Sequence, residues 1–188
     1  MLTRREFAAA AAATFALGQQ AGAAATGFQV APQFMPQPVR IKKSFQPGRI
    51  VIVTQLHFLY FVTAEGEAMR YGIGVGKAGL EFQGDAVIQV KKEWPTWRPT
   101  DEMIERDPAP YGKFKGNEDV QPGGPGNPLG ARALYLFQNG RDTYFRIHGT
   151  TEPQSIGRSV SNGCIRMVNE HVIDLYNRVP IGTVVTVI

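Results

Sequence analysis

Apolar and polar residues alternate over short stretches of this chain, a pattern that predicts a mainly β domain. Residues 49–63 are rich in Val, Ile, Phe and Tyr, residues 64–67 form a polar turn, and residues 69–76 follow as another strand. Together they predict a β-hairpin. Four further strands are predicted at residues 85–91, 133–138, 143–147 and 183–188.

Two short helices are predicted beside the strands. Residues 100–106 begin with Thr100, and residues 170–178 follow Asn169; both residue types cap helix N-termini. The second helix has an apolar stripe at helical spacing, formed by Val172, Ile173, Leu175, Tyr176 and Val179. His171 lies opposite that stripe, so we expect it to face solvent.

Residues 94–130 interrupt the regular pattern. They contain seven prolines, and five glycines lie between residues 112 and 126. This composition excludes long helices and strands. A long irregular segment inside a compact domain is usually a lid or a binding loop, so we predict a lid-like segment here.

The first 25 residues have the composition of an export signal. Arg4-Arg5 precedes an alanine-rich stretch, and residues 7–39 carry no charge. The paired arginines predict the twin-arginine export route of bacteria and hence a periplasmic location, with an uncleaved anchor as the alternative. The stretch is too weakly apolar to predict a stable membrane span.

Residues 26–47, rich in Pro and Gln, predict an extended linker, and residues 48–188 predict a single domain.

Length and composition limit the function classes. The chain has 188 residues, 43% of them apolar and 19% charged, which suits one globular domain. Its formal net charge of +4 is spread along the sequence, so nucleic acid is not a predicted partner. No His, Cys, Asp and Glu residues have metal-ligand spacing, and no glycine-rich phosphate loop joins a strand to a helix. We therefore predict no metal and no cofactor.

The single cysteine, Cys164, is the strongest chemical signal in the sequence. It follows Gly163, stands two residues before Arg166 and lies sixteen residues after His148. A cysteine attacks carbonyl carbon as the thiolate, which a histidine within hydrogen-bond reach can generate. A preceding glycine leaves the backbone free to present an N–H to an oxyanion. The pattern favours Cys164 as nucleophile and His148 as base.

Structural roles for the same residues stay open at this point. A lone cysteine can be a small buried apolar residue, and His148 can be a structural histidine. Arg166 fits a substrate or oxyanion role and an ion pair that shapes the loop equally well. Ser161 and Asn162 are residue types that favour turns.

Two motifs, His148-Gly149-Thr150 and Ser161-Asn162-Gly163-Cys164-Ile165-Arg166-Met167, resemble those of bacterial L,D-transpeptidases with a YkuD-type catalytic domain, of the ErfK/YbiS kind. The run from residue 122 to 135 is similar to the same family, and the resemblance covers about residues 48–188. It implies a YkuD-like β-sandwich with one or two short helices and Cys164 at the mouth of a cleft. Many members have histidine where this chain has Asn162.

The resemblance also implies a reaction. Cys164 would attack the carbonyl between the diamino acid and the terminal D-alanine of a peptidoglycan tetrapeptide stem. His148 would protonate the departing D-alanine and then activate an amine of a second stem, giving a 3→3 cross-link. The expected partners are therefore peptidoglycan stem peptides, and an outer-membrane protein is a candidate acceptor.

The resemblance also implies roles for backbone groups near the two residues. The N–H groups of Gly163 and Cys164 would hold the oxyanion, and the Gly149 carbonyl would orient the imidazole. The residue types themselves suggest that Arg166 adds positive charge to the pocket, and Tyr111, Ser161 and Asn162 are candidate substrate contacts.

Several functions share this chemistry. Water as acceptor would make the protein an L,D-carboxypeptidase, a protein lysine would make it an anchoring enzyme, and a free D-amino acid would make it an exchange enzyme. Two alternatives belong to other classes: a non-catalytic wall-binding domain, and a thiol redox sensor.

Overall fold

The computed structural model describes residues 28–188. The predicted export signal at residues 1–25 lies outside this range. Within it, no helix is long and apolar enough to cross a membrane.

The described residues form eleven strands and three short α-helices. The strands are β1 (Gln37–Arg40), β2 (Ile50–Val53), β3 (Phe58–Ala64), β4 (Glu67–Gly72), β5 (Val75–Gly76), β6 (Gly84–Glu93), β7 (Arg132–Gln138), β8 (Arg141–His148), β9 (Ser159–Ser161), β10 (Ile165–Arg166) and β11 (Val184–Val187). The helices are α1 (Asp101–Arg106), α2 (Pro108–Tyr111) and α3 (Asn169–Arg178). A mainly β fold with a few short helices is confirmed, and α2 is one helix more than predicted.

Nine of the strands form one sheet in the order β1-β4-β3-β2-β11-β6-β7-β8-β10, and β5 and β9 pair separately. The last strand, β11, lies inside the sheet, parallel to β2 and antiparallel to β6. Buried residues from every strand of this sheet except the edge strand β1 belong to one apolar cluster, so the sheet surrounds a single core. The central strand β2 is buried on both faces, which explains its uninterrupted apolar sequence.

The predicted strand at residues 49–63 is two strands. Val53 of β2 pairs directly with Phe58 of β3, so residues 54–57 are a tight loop that contains a turn of 3-10 helix. The loop ends at His57, which has the left-handed φ of 57°. The sequence concealed this turn because it contains no Gly, Pro or Asn. The hairpin predicted beyond it is confirmed as β3 and β4.

Part of the predicted linker belongs to the sheet. Residues 37–40 form the edge strand β1, which pairs antiparallel with β4. Phe34 packs so closely against β4 that a Cβ added to Gly72 would lie 2.4 Å from the Phe34 Cβ. The prediction of an extended linker is therefore wrong for this stretch. Its prolines are compatible with β1 because an edge strand leaves half of its N–H groups unpaired.

The start of α3 differs from the prediction in two ways. Asn169 is not the N-cap; Val168 is, and the Asn169 Oδ1 accepts a hydrogen bond from the Ala131 N–H at 3.0 Å. His171 is 7% exposed rather than solvated. The first turn of α3 is embedded against other segments of the chain, which the apolar stripe of the helix alone does not reveal.

The irregular segment at residues 94–130 is anchored at several points. Thr100 caps α1 as predicted, because its Oγ1 accepts a hydrogen bond from the Met103 N–H at 3.3 Å. Trp97 and Gln121 exchange two backbone hydrogen bonds of 2.9 and 2.7 Å, which close the base of the segment. The extra helix α2 begins at Pro108, a position where proline costs no hydrogen bond.

Candidate active site

Strand pairing brings His148 and Cys164 to one end of the sheet. His148 is the last residue of β8, and β10 runs parallel to β8 with Arg166 opposite His148. Cys164 immediately precedes β10. Both residues line one open cleft of about 1030 Å³, whose other wall is the segment at residues 97–111. The sixteen-residue spacing noted in the sequence is thus the length of the connection from β8 to β10, which includes the short strand β9.

Cys164 is half-buried. Its Sγ donates a long hydrogen bond of 3.8 Å to the Tyr144 carbonyl. Burial raises the pKa of the thiol, while the Arg146 N–H and the charges of Arg146 and Arg166 oppose that rise. In the free protein the sulfur is therefore mainly a neutral thiol, without a direct hydrogen bond to His148.

His148 is buried, and its Nδ1 lies 2.5 Å from the Gly149 carbonyl oxygen. Since a carbonyl only accepts, Nδ1 carries the proton, and Nε2 is left as the basic nitrogen. Burial lowers the pKa of His148 to about 4, against the effect of the Gly149 and Leu129 carbonyls. The imidazole is thus neutral and oriented by Gly149, the contact that the family resemblance implied.

The loop before Cys164 is held by Ser161. The Ser161 Oγ accepts a hydrogen bond from the Gly163 N–H at 3.1 Å and donates one of 2.7 Å to the Cys164 carbonyl. Ser161 is 2% exposed, which favours the turn role over a substrate contact. Gly163 has a φ of +124°, and an added Cβ would lie 2.7 Å from the Leu80 carbonyl oxygen, so only glycine fits.

The hydrogen bond from the Gly163 N–H to Ser161 is inconsistent with the predicted oxyanion role of Gly163. Its N–H already donates to Ser161 and is not free to bind a developing negative charge. The N–H of Cys164, in contrast, has no acceptor within residues 28–188. One of the two predicted oxyanion donors is thus available.

Arg166 forms an ion pair with a residue that the sequence analysis did not single out. Its Nη1 lies 2.5 Å from Glu152 Oε2, and its backbone exchanges two hydrogen bonds with Gly74. The geometry favours the loop-shaping alternative for this side chain. Its charge still reaches the site, where it lowers the pKa of both Cys164 and His148.

Asn162 connects the nucleophile loop to the irregular segment. Its Oδ1 accepts a hydrogen bond from Arg106 Nη2 at 3.0 Å, and its Nδ2 lies 3.5 Å from the Tyr111 hydroxyl. Tyr111 lines the cleft, and its ring packs edge-on against Trp97 at 5.9 Å between centroids. Tyr111 and Asn162 are therefore brought together at the rim of the cleft, beside Cys164.

A distortion in β8 shapes the wall next to the sulfur. Tyr144 has a φ of +61°, and its N–H donates to Asp142 Oδ1 at 2.8 Å. Arg146 holds both oxygens of Asp142 at 2.7 and 2.8 Å and lies 4.0 Å from the centre of the Tyr135 ring. This β-bulge points the Tyr144 carbonyl at Cys164. The one signal in the sequence was the i, i+2 spacing of Arg146 and His148, which places both on one face of a strand.

Residues 28–188 contain no cluster of three or more His, Cys, Asp or Glu side chains that could hold a metal ion.

These observations define the class of protein: a mainly β domain in which a cysteine and a histidine from neighbouring strands face one open cleft. Residues 47–187 match the family model of the YkuD L,D-transpeptidase catalytic domain. The chain is 35% identical over 156 residues to the probable L,D-transpeptidase ErfK/SrfK of Escherichia coli K12, covering 82% of this chain and 48% of that protein. It belongs to the L,D-transpeptidase family with a YkuD-type catalytic domain.

Other comparisons agree with that family. The probable L,D-transpeptidase YbiS of Escherichia coli K12 is 31% identical over 156 residues, covering 79% of this chain and 47% of that protein. The chain thus spans about half the length of the curated relatives it matches. An L,D-transpeptidase structure from Mycobacterium smegmatis shares the fold, with a TM-score of 0.52, 19% identity, and coverage of 74% of this chain and 57% of that one.

A crystal structure from Brucella melitensis is more similar in sequence. It is 59% identical, with a TM-score of 0.57, and the match covers 82% of this chain and 93% of that chain. It is described as a probable carnitine operon oxidoreductase.

Proposed function

We propose that this protein is a cysteine-dependent peptidoglycan L,D-transpeptidase that makes 3→3 cross-links. The observation that carries the proposal is that His148, at the end of β8, and Cys164, immediately before the neighbouring strand β10, line one open cleft. Membership of the L,D-transpeptidase family supplies the substrate class.

The first half-reaction is acylation of the sulfur. As the Cys164 Sγ attacks the carbonyl carbon before the terminal D-alanine, its proton passes to Nε2 of His148. The electron pair of the carbonyl moves to its oxygen, where the N–H of Cys164 stabilises the negative charge. When the intermediate collapses, His148 gives the proton to the nitrogen of D-alanine. The C–N bond breaks, and a thioester remains on Cys164.

The second half-reaction transfers the acyl group. An amine of a second stem peptide attacks the thioester carbon, and His148 accepts a proton from the attacking nitrogen. Collapse of this intermediate forms the new amide and breaks the C–S bond, and the sulfur takes the proton back from His148. The free protein is regenerated with both side chains neutral.

Neutral side chains at rest suit this sequence of proton transfers. A His148 whose pKa burial lowers to about 4 is a free base at neutral pH, ready to accept a proton. The thiol, whose pKa burial raises, keeps its proton until the substrate arrives. The thiolate and the imidazolium therefore appear together, in the transition state, where their attraction stabilises the reaction rather than the free protein.

The acceptor distinguishes this proposal from functions with the same first half-reaction. Water would give an L,D-carboxypeptidase, a lysine of an outer-membrane protein would give an anchoring enzyme, and a free D-amino acid would give exchange. We propose the stem amine because the chain belongs to the L,D-transpeptidase family and because the cleft, at about 1030 Å³, is open to solvent. A dithiol oxidoreductase would need a second thiol, and the chain has one cysteine.

The test is an assay with disaccharide-tetrapeptide under reducing conditions. The full chain is expected to release D-alanine and to form cross-linked dimers, and Cys164→Ala is expected to do neither. Competing acceptors, detected by mass spectrometry, identify the preferred amine. Wild-type protein that releases no D-alanine would refute the proposal. Equal binding of peptidoglycan by wild type and Cys164→Ala, with no turnover by either, would indicate a wall-binding domain instead.

We also propose that the protein acts in the periplasm after export by the twin-arginine route. The support is the Arg4-Arg5 pair before an uncharged stretch. Replacing both arginines by lysine is expected to leave the protein in the cytoplasmic fraction. Unchanged export of that variant would contradict the twin-arginine route.

A further inference from the structure

Three arginines line the cleft, and their partners differ. Arg166 is paired with Glu152, and Arg98 with Asp101 at 3.2 Å. Arg106 has no carboxylate partner within residues 28–188. It is therefore the cleft arginine that forms no ion pair in the described part of the protein, although Glu81 and Glu102 line the same cleft.

Arg106 is held in place at the rim beside the nucleophile. It is the last residue of α1, and its Nη2 donates to Asn162 Oδ1 at 3.0 Å. Asn162 lies two residues before Cys164, so this bond connects the guanidinium to the loop that carries the sulfur, and both residues line the same cleft. One of the five guanidinium N–H groups is used there, and the others remain for a ligand.

The segment that carries Arg106 is itself fixed. Thr100 caps α1, and Arg98 donates to the carbonyls of Phe114 and Asn117 at 3.1 and 2.9 Å. A guanidinium on such a support loses less conformational freedom on binding than one on a free side chain.

The partner of Arg106 is an amide and not a carboxylate, and this difference determines whether the guanidinium can still bind an anion. An amide oxygen accepts the hydrogen bond without cancelling the positive charge, so the guanidinium stays attractive to an anion. An aspartate at position 162 would orient the side chain equally well but would neutralise it. The pair of Asn162 and Arg106 therefore has the properties of a prepared carboxylate-binding site.

We propose that Arg106, positioned by Asn162, binds a free carboxylate of the donor stem peptide and selects donors that carry it. The inference rests on the proposed function, which places the donor in this cleft. One source of the carboxylate is the terminal D-alanine, whose α-carboxylate is one carbon away from the nitrogen of the bond that breaks. The other is a second carboxylate on the diamino acid that precedes it.

The test compares synthetic tetrapeptides that differ in one carboxylate. Four donors combine a C-terminal acid or carboxamide with a diamino acid that has or lacks a side-chain carboxylate. Binding is measured by calorimetry in the Cys164→Ala full chain, where no turnover occurs. Loss of the recognised carboxylate is expected to weaken binding about tenfold, and Arg106→Gln is expected to abolish that difference. The donor that shows the difference identifies the source.

Three further variants separate a local contact from general charge effects. Arg40→Gln removes the same charge from the exposed edge strand β1 and is expected to keep the discrimination. Asn162→Asp is expected to reduce the discrimination between donor peptides as Arg106→Gln does, because the new carboxylate neutralises the guanidinium. Arg106→Lys retains the positive charge but lacks the planar guanidinium, and it is expected to show part of the wild-type discrimination.

The inference is overturned if Arg106→Gln in the Cys164→Ala chain discriminates among the four peptides as the Cys164→Ala chain itself does. It is also overturned if the Cys164→Ala chain binds all four peptides equally. Failure of the proposed function gives a different result, because the wild-type chain would then release no D-alanine from any of the four. Discrimination that disappears in Arg106→Gln supports the inference whether or not turnover follows.

Discussion

At the scale of residues, the candidate nucleophile Cys164 and the candidate base His148 are both uncharged at rest. The structure contains no preformed thiolate–imidazolium pair, because the thiol contacts the Tyr144 carbonyl and the imidazole contacts Gly149. In the proposed reaction, activation therefore depends on the substrate, which excludes water and brings the two side chains into one reaction. A resting site of this kind is also less open to oxidation, since oxidants react with the thiolate.

The low pKa of His148 predicts the acid limit of activity. Because only the neutral imidazole can accept the thiol proton, kcat/KM is expected to stay high as the pH falls from 7 to 5 and to drop as it passes about 4. Rates of D-alanine release across this range give the measurement, with circular dichroism to confirm that the protein stays folded. An acid limb centred near 6.5, the ordinary histidine value, would contradict the account.

The ion pair of Asp142 and Arg146 predicts two opposite effects on the thiol. Arg146 lowers the pKa of Cys164 and Asp142 raises it. Alkylation by iodoacetamide at pH 8 is therefore expected to slow about threefold to tenfold in Arg146→Met and to accelerate in Asp142→Asn. General damage to the bulge would move both rates in the same direction, and that result would contradict the electrostatic explanation.

At the scale of elements, one of the links between α3 and the sheet is a buried hydroxyl. Tyr71 of β4 is fully buried and donates to Asp174 Oδ2 of α3 at 2.6 Å. Arg178 holds the same carboxylate at 2.9 Å. Burial alone would raise the pKa of Asp174, but the hydrogen bonds from Arg178 and Tyr71 outweigh it and lower the pKa. The helix is thus fastened to the strand pair at the far side of the core.

Loss of that hydroxyl is expected to destabilise the fold. Tyr71→Phe should reduce the free energy of unfolding by about 1.5 to 3 kcal/mol at pH 7, the range for hydrogen bonds to charged groups. The pKa of Asp174 is lower in the folded protein than in the unfolded chain. The ionised carboxylate therefore stabilises the fold fully at pH values above the unfolded pKa, and this stabilisation is lost as the pH falls through the lower pKa of the folded protein. Urea unfolding measures the free energy of unfolding of the wild type and of Tyr71→Phe at pH 7 and at pH 3. The difference between the two proteins is expected to be smaller at pH 3.

Tyr60→Phe is the matched control, because Tyr60 of β3 is half-buried and forms no side-chain hydrogen bond within residues 28–188. Equal losses of stability in the two variants would show that the hydroxyl of Tyr71 has no special role.

Elements with a local cause were predictable from the sequence. The strands β6, β7, β8 and β11 follow from apolar alternation, and the α1 cap follows from Thr100. The loop at residues 54–57 was not predictable, because it contains no typical turn residue. The contact of Asn169 with Ala131 was not predictable either, because a residue type that caps helices can instead accept a hydrogen bond from a distant amide.

At the scale of the whole molecule, the sheet order explains how the site is assembled. The proposed nucleophile and base lie in the last third of the chain, beside β10 and on β8, at one end of the nine-stranded sheet. The sequence was sufficient to predict Cys164 and His148 as candidates, because residue type and spacing indicate their chemistry, and the structure places both in one cleft. It could not identify Arg106, Glu152 or Asp142, whose roles depend on contacts between segments that are distant in the chain or reshaped by a bulge.

The central claim is tested most directly by looking for the acyl group on the sulfur. The full chain is mixed with tetrapeptide donor in the absence of an amine acceptor and analysed by intact-protein mass spectrometry. We expect a mass increase equal to the donor minus D-alanine, located on the peptide that contains Cys164 and absent from Cys164→Ala. Release of D-alanine at an unchanged rate by Cys164→Ala, or an acyl group on another residue, would contradict the account.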